Sequence, residues 1–370
     1  MKFAIITHVQ HIRKEECYFA YAPYIREMNI WLKHVDQVLI VAPVVNKSIS
    51  PIHELYVHDK ICFNQVEEFD IKSIKNIVHA IFKLPKIVAT IYNAMAEADH
   101  IHLRCPGNMG LLGAFVQLLF PSKQKTAKYA GNWDPKAKQP FTYKLQRWIL
   151  SNTFITKNMQ VLVYGEWSNQ TKNNTSFFTA TYSASDKTPT LPRTFAGCID
   201  FLFVGTLSKG KQPLYAIQLV QKMHQEGKKV RLTLYGDGVL RDTLEDYIKT
   251  ANLQNVVFLK GNQSKETVLN AYQQSHFLIL PSKSEGWPKV VAEAMFWGCV
   301  PIVSQVSCVP YMLGYGERGV QLREQLETDL RQVMSLLNDE LLYQKMSSEG
   351  QNWSRQFTTD KFEEAIKKLL

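Results

Sequence analysis

Two carboxylates bracket a proline in the segment HFLILPSKSEGWPKVVAEAMFWG, His276 to Gly298. Glu285 precedes Pro288 and Glu293 follows it. Proline suits the first turn of a helix, where a missing N–H costs nothing. The amides from Gly286 through Trp287, Lys289 and Val290 then lie at a helix start, where unpaired N–H groups and the helix dipole favour an anion such as a diphosphate. A glutamate near such a start also simply complements the dipole, worth under about 1 kcal/mol at a surface. A carboxylate that accepts two hydrogen bonds suits vicinal hydroxyls, as on a ribose or hexose. An anion site flanked by two such carboxylates describes a nucleotide sugar.

The elements that position these residues follow from periodicity. Apolar runs such as KFAIITHV, QVLIVAPV, HIHLRC, TAKYAG and QVLVYG alternate with amphipathic stretches such as YAPYIREMNIWLKHV, MGLLGAFVQLLF and FTYKLQRWILSNTFI. This alternation indicates βαβ units and a parallel sheet covered on both faces. From Ser168 to Gly197 the chain is polar, holds two prolines and lacks a period, as expected of a connection. The alternation then restarts with DFLFVGTL, a helix from Pro213 to about Gln225, KVRLTLYG, a helix from Val239, NVVFLKG, SKETVLNAYQQ, HFLILPS, a helix from about Pro288, VPIVSQ and GVQL. Helical patterns fill Leu326 to Leu370. The expected class is α/β: two doubly wound, Rossmann-like domains over residues 1–180 and 199–353, a linker over 181–198, and a final helix over 354–370 packing back toward the first domain. In such domains ligands bind beyond the carboxyl ends of the strands, so a cleft between the facing edges is expected.

The turns after strands therefore carry the remaining candidates. In VGTLSKGKQP, Gly205 permits a tight turn beside Thr206, and Lys209 and Lys211 supply cations for a diphosphate at the following helix start. In YGDGVLRDTLE, Gly236 lets backbone approach closely; Gly261 in FLKGNQSKE does the same, and Ser264 suits an N-cap. In the first domain Arg104 and Asn108 of HLRCPGNMG, and His8 and His11 after the first strand, are candidates for the acceptor side; a capped helix start and polar turn residues are the plainer readings. No G-x-G-x-x-G follows any strand, which disfavours a dinucleotide cofactor and an NAD-linked dehydrogenase.

Bulk properties bound the partners. The 370 residues are 45% hydrophobic and 21% charged, in keeping with a globular chain of two domains. The N-terminus turns polar after a few apolar residues, unlike a signal peptide. The longest smooth apolar run, Met109 to Phe120, is shorter than the roughly 20 residues of a membrane span and is expected as a buried helix. Six scattered cysteines lack C-x-x-C or metal spacing and read as free thiols of a reducing cytoplasm. The net charge of +10 is lopsided: residues 1–178 hold 21 Lys and Arg against 13 Asp and Glu, a difference of +8. Clusters FKLPK, KQKTAK and KAK carry that excess and point to an anionic partner such as a lipid surface or phosphorylated substrate. No nucleic-acid-binding pattern accompanies the charge.

The segment from Glu285 to Gly298 resembles the E-x7-E motif of the retaining GT-B glycosyltransferases of family four, and FVGTLSKGK, YGDGVLRDTLE, VVFLKGNQ and GQNWSRQFTTDKF are similar to the same family in order and spacing, over roughly Ile199 to Leu370. The resemblance implies that Glu293 binds the nucleotide ribose and that Glu285, with the backbone around Gly286, Trp287, Pro288, Lys289 and Val290, holds the donor sugar and its phosphates. Lys211 stands at the place of the family's diphosphate-binding lysine, with Lys209 as the fallback, and the Gly261 loop meets the base. The chain departs from the family where an arginine usually follows the strand glycine, since Thr206 stands there. In KYAGNWDP, Asn132 or Asp134 stands where members often carry a catalytic histidine.

The resemblance thus implies a cytoplasmic hexosyltransferase for bacterial polysaccharide or lipopolysaccharide assembly. It would use a UDP- or GDP-linked donor without a metal or other cofactor, act on a saccharide or lipid-linked saccharide, and bind no nucleic acid. An anionic membrane would meet the basic first domain. Alternatives on the same fold are a sugar-nucleotide epimerase, a sugar phosphorylase or a non-catalytic saccharide-binding protein.

Overall fold

A computed structural model describes residues 1–50, 52–69, 74–168 and 170–370, with backbone alone for 74–81. Two units emerge, one of Met1–Phe178 with Phe362–Leu370 and the other of Thr179–Lys361. Among the described residues the first carries strands β1 (Lys2–Ile6), β2 (Ile12–Lys14), β3 (Cys17–Tyr21), β4 (Gln37–Pro43), β5 (His53–Leu55), β6 (Ile61–Val66), β7 (His100–Cys105), β8 (Gln124–Tyr129), β9 (Met159–Tyr164) and β10 (Asn174–Phe177), with helices α1 (Ala22–Leu32), α2 (Ile74–Glu97), α3 (Asn108–Val116) and α4 (Phe141–Ser151). The second carries β11 (Ile199–Val204), β12 (Val230–Tyr235), β13 (Val257–Leu259), β14 (Phe277–Leu280), β15 (Val300–Ser304) and β16 (Val320–Leu322). Its helices are α5 (Pro213–Gln225), α6 (Arg241–Thr250), α7 (Lys265–Gln274), α8 (Lys289–Phe296), α9 (Val309–Met312), α10 (Leu326–Leu337) and α11 (Glu340–Ser354), and the final α12 (Thr359–Lys367) runs across the division of the chain.

Each unit is built on a wholly parallel sheet, ordered β10-β9-β8-β7-β1-β4-β6 in the first and β13-β12-β11-β14-β15-β16 in the second. The near-continuous apolar strands explain this: Phe3 to Ile6, Val38 to Ala42 and Phe277 to Leu280 are buried residue after residue, as sheets covered on both faces require. In both sheets the chain builds outward from a first strand, then crosses back to its other side. The order reverses between β1 and β7, and again between β11 and β14. At such a reversal the loops leaving the two strands diverge to opposite faces and open a crevice.

Several features depart from the expected pattern. Residues of THVQHIRKEECYFAYAP form β2 and β3, which join β5 in a small antiparallel sheet. A 24-residue helix, α2, fills a stretch to which no element was assigned from sequence, and Pro85 lies inside it. Part of the expected connection is β10, paired with β9. Residues 179–198 group with the second unit, where the Arg193 guanidinium donates to the carbonyls of Tyr272, Gln273, Trp297 and Gly298 at 2.6–3.2 Å. Those carbonyls end α7 and α8, where a cation satisfies acceptors the helices leave unpaired. The α3 region is only partly buried, since Phe115 and Leu119 face solvent.

The first unit also buries polar side chains within its sheet. His100 Nε2 and His102 Nδ1 both lie 2.9 Å from Thr126 Oγ1, and Phe3 stacks on the His102 ring at 5.6 Å. The other ring nitrogens, His100 Nδ1 and His102 Nε2, meet no hydrogen-bonding group among the described residues. Burial lowers His100 to about 4; burial, with neighbouring positive groups, lowers His102 to about 3. His11 is lowered to about 4 by burial as well.

A group whose folded pKa lies below its unfolded value binds fewer protons when folded, so stability is full above the unfolded value and falls as pH drops toward the folded one. Each of these histidines therefore costs about 1.4 kcal/mol per pH unit below about 6.5. Urea denaturation between pH 7 and 5 is expected to show a steep loss of stability, above the range where carboxylates titrate. His102→Phe, which keeps the ring contacts and removes one titration, should flatten the slope. An unchanged slope would show that this imidazole is not held neutral.

Candidate functional site

In the second unit Phe201 pairs with Phe277 and Leu202 with Leu278, so the loops leaving β11 and β14 start side by side. Two bonds hold them together: Lys283 N–H donates to the Gly210 carbonyl at 2.9 Å and Gln212 Nε2 to the Pro281 carbonyl at 2.7 Å. Between those anchors Lys211 Nζ donates to Glu285 Oε1 at 2.5 Å. The Glu285 side chain is 8% exposed and that of Lys211 30%. Lys209, two residues away, is exposed, as is Thr206.

Pro288 is the N-cap of α8, and Glu293 follows within the helix. Thr181 Oγ1 donates to Glu293 Oε1 at 2.7 Å and the Tyr272 hydroxyl donates to Oε2 at 3.0 Å. Tyr272 is fully buried, and burial with the adjacent Glu293 charge raises its phenol well above the usual range. The Gly286 carbonyl is turned toward α9, where Ser307 Oγ (3.3 Å) and Cys308 Sγ (3.0 Å) donate to it. Burial pushes the Cys308 thiol up to about 12, so it acts as a neutral donor. The amides of Gly286 and Val290 donate to no group among the described residues. These N–H groups at the start of α8, with the Lys211–Glu285 pair on the adjoining loops, are of the kind that favours an anion.

The glycine-bearing turns pack on one another. A Cβ on Gly236 (φ +131°) would lie 2.0 Å from the Gly205 carbonyl oxygen, and Gly236 N–H donates to the Gly261 carbonyl at 2.9 Å. Any side chain at 236 would force the first two turns apart. The Trp287 indole does not line an open site. It is 7% exposed, stacked on Trp353 at 5.9 Å and edge-on to Phe357, so its large apolar surface is spent on packing.

In the first unit the reversal between β1 and β7 gathers His8, Arg104 and Gly107. A Cβ on Gly107 (φ +153°) would lie 2.7 Å from His8 Nδ1, so the imidazole rests against the α3 start. Crowding by protein atoms and the Arg104 charge lower the His8 pKa. Arg104 Nη1 donates to Glu27 at 2.9 Å, and its guanidinium lies 5.4 Å from the Tyr24 ring centre. Asn108 Nδ2 donates to the Phe69 carbonyl at 3.2 Å. His11 does not join this group. It is fully buried, bonded to the Tyr56 hydroxyl at 2.9 Å and stacked on that ring, because its strand-like pairing with Val44 turns it into the core. Asn132 and Asp134 share one loop, where Asn132 Oδ1 accepts from the Asp134 amide and Asp134 Oδ1 from that of Lys136, both at 2.8 Å. Both carboxamide and carboxylate thus shape turns. Among the described residues no group of three or more His, Cys, Asp or Glu is placed to hold a metal ion. No helix among them is long and apolar enough to cross a membrane.

Residues 195–353 match the family described as glycosyl transferases group 1. The uncharacterized glycosyltransferase MJ1178 of Methanocaldococcus jannaschii is 27% identical over 137 residues, covering 37% of this chain and 39% of that protein. The N-acetylgalactosamine-N,N'-diacetylbacillosaminyl-diphospho-undecaprenol 4-alpha-N-acetylgalactosaminyltransferase of Campylobacter jejuni is 26% identical over 172 residues, 46% of each chain. The chain thus spans less than half the length of either relative. Anabaena Alr3699/HepE, solved in complex with UDP and glucose, is similar with a TM-score of 0.70 and 13% identity, over 100% of this chain and 98% of that one. The fold is accordingly GT-B, with two Rossmann-like domains.

Within the second unit, Thr181, Tyr272, Ser307 and Cys308 were not evident from sequence. Tyr272 sits at a buried helical position, and Thr181 falls in a segment without period. Glu27 left a signal: it interrupts the apolar stripe of Tyr24, Ile25, Met28, Trp31 and Leu32 on α1, where a lone acid demands a buried partner. Because Glu285 is nearly enclosed, Lys211→Met should destabilise the domain by about 1–3 kcal/mol. Lys209→Met should change it by less than about 0.5 kcal/mol. Urea denaturation distinguishes the two, and equal effects would contradict the pairing.

Proposed function

We propose that the chain is a retaining hexosyltransferase that moves a sugar from a UDP- or GDP-linked donor to a saccharide or lipid-linked saccharide in cell-surface polysaccharide assembly. The observation that carries this reading is the group at the start of α8: unpaired amides of Gly286 and Val290, the Lys211–Glu285 pair beside them, and Glu293 farther along the same helix. A diphosphate is the anion that such a helix start and lysine accommodate. It would compete with Glu285 for Lys211 and free the Glu285 carboxylate for donor-sugar hydroxyls, while Glu293 takes the ribose. As the glycosidic bond breaks, negative charge grows on the leaving diphosphate, and donors already fixed toward it lower the barrier without reorganisation. In this reading protein groups supply the positive charge, with no cofactor beyond the co-substrate.

The acceptor class draws support from the Campylobacter enzyme, whose name specifies a diphospho-undecaprenol-linked saccharide. His8 and Arg104 at the reversal of the first sheet are the acceptor-side candidates; Asn132 and Asp134 stay candidates only if their turn opens. The basic clusters FKLPK and KAK of the first unit suit an anionic membrane surface at the inner face of the cytoplasmic membrane.

A thermal-shift panel with UDP, GDP, ADP and NAD on the wild type and Glu293→Ala tests the donor site. A nucleoside diphosphate at about 100 times its Kd should stabilise the wild type by roughly 2.7 kcal/mol. That shift should vanish in the variant. No shift with any ligand would favour the non-catalytic saccharide-binding alternative, and a shift with NAD alone would sink the transferase. Product analysis with and without a saccharide acceptor separates transfer from epimerisation and phosphorolysis.

A further inference from the structure

The group around Glu293 contains more than its carboxylate. Thr181 comes from the first residues of the second unit, Tyr272 from the last turns of α7 and Glu293 from α8, so three segments far apart in sequence converge on two oxygen atoms. Each oxygen accepts one hydrogen bond from inside the protein, at 2.7 Å and 3.0 Å. A carboxylate oxygen has two lone-pair sites, so each keeps one for an outside donor. Two internal bonds to different oxygens also stop the carboxylate from rotating about its terminal torsion, which is otherwise broad. Held in this way, the carboxylate offers its remaining sites at a fixed spacing and in a fixed plane, as a cis-diol requires.

We propose that Thr181 and Tyr272 are positioning residues that orient the Glu293 carboxylate for the vicinal hydroxyls of a ribonucleotide. This inference rests on the donor-site reading above and adds two residues to it. Neither needs to touch the nucleotide: both act through Glu293. Tyr272 is enclosed and fixed by packing, whereas Thr181 hangs on the chain segment that enters the second unit. The hydroxyl of Thr181 is therefore the part of the clamp that a small substitution removes most cleanly.

The test is calorimetric titration of whichever of UDP and GDP binds the wild type. The same titrations are run on Thr181→Val, Thr181→Ser, Tyr272→Phe and Glu293→Ala, and repeated with the 2′,3′-dideoxy analogue of that nucleotide. Thr181→Val and Tyr272→Phe should each weaken the ribonucleotide on the order of tenfold, the worth of one hydrogen bond to a charged group. Thr181→Ser should stay within about twofold of the wild type, because it keeps the hydroxyl. With the dideoxy analogue the wild type and Thr181→Val should bind alike, since the hydroxyls that sense the carboxylate are gone. Equal losses on both nucleotides, or none on either, would overturn the positioning role. Should Tyr272→Phe fail to fold, Thr181→Val with its serine rescue decides. If Glu293→Ala itself leaves ribonucleotide binding unchanged, the donor-site reading fails, an outcome distinct from failure of the two positioning residues alone.

Discussion

The reversal of strand order between β11 and β14 is the constraint on which the candidate site depends. Residues 211 and 285 are far apart in sequence, and nothing in either segment makes them meet. Parallel pairing of Phe201 with Phe277 places the two strand ends side by side, and the loops then leave on separate courses with a crevice between them. Lys211 and Glu285 close that crevice across its mouth. The ion pair is a consequence of topology first and of charge second. The same reversal between β1 and β7 collects His8, Arg104 and Gly107, which explains why both units present polar side chains at corresponding positions of their sheets.

Charge at this mouth is balanced locally. A carboxylate as enclosed as Glu285 is expensive to leave unpaired, and an unpaired helix start repels no anion. With Lys211 on Glu285, the protein holds a neutral pair next to a cluster of amide dipoles. In the proposed reading an anion at the amides draws Lys211 from Glu285, and lysine, a flexible point charge, can turn from one acceptor to the other. An arginine fork fixed on Glu285 would make that exchange harder. Thr206 supplies no charge at the preceding turn, and Lys211 is the cation paired with Glu285.

Much of the architecture was legible in the chain, for a definite reason. Parallel strands buried on both faces leave uninterrupted apolar runs, and α5, α7 and α8 begin at Pro213, after Ser264 and after Pro288, where start signals are strong. The candidates of the second unit were legible because a helix start with flanking acids is a local pattern. Other parts depended on distance. His11 looked like a turn residue facing a ligand, yet one bridge to Val44 turns it inward, and no spacing rule encodes that. Trp287 was expected at the donor site through its backbone, and its indole is instead stacked on Trp353 of α11, a contact that no local pattern encodes. Thr181 and Tyr272 carried no signal because their role exists only once three segments converge.

The basic composition of the first unit illustrates the same limit in electrostatics. KQKTAK looked like a surface stripe for an anionic partner. Instead Lys123 donates to the carbonyls of Met95, Ala96 and Ala98, where α2 ends, and so neutralises the negative end of that helix. Lys125 and Lys128 are buried in β8. Lys125 donates to the carbonyls of Gln117 and Phe120, and burial lowers its pKa to about 8. Lys128 donates to the Phe178 carbonyl and lies 4.3–5.3 Å from the ring centres of Phe177, Tyr164 and Phe362, so the aromatic faces replace part of the water it gave up. Phe362 opens the short return of the chain to the first unit, which makes this cation a tether for residues 362–370. Lysine is chosen there because a long apolar stem can cross a sheet while its ammonium still finds acceptors. Net charge counts such residues as surface, whereas the fold spends them inside, so the field outside the first unit is weaker than its composition implies.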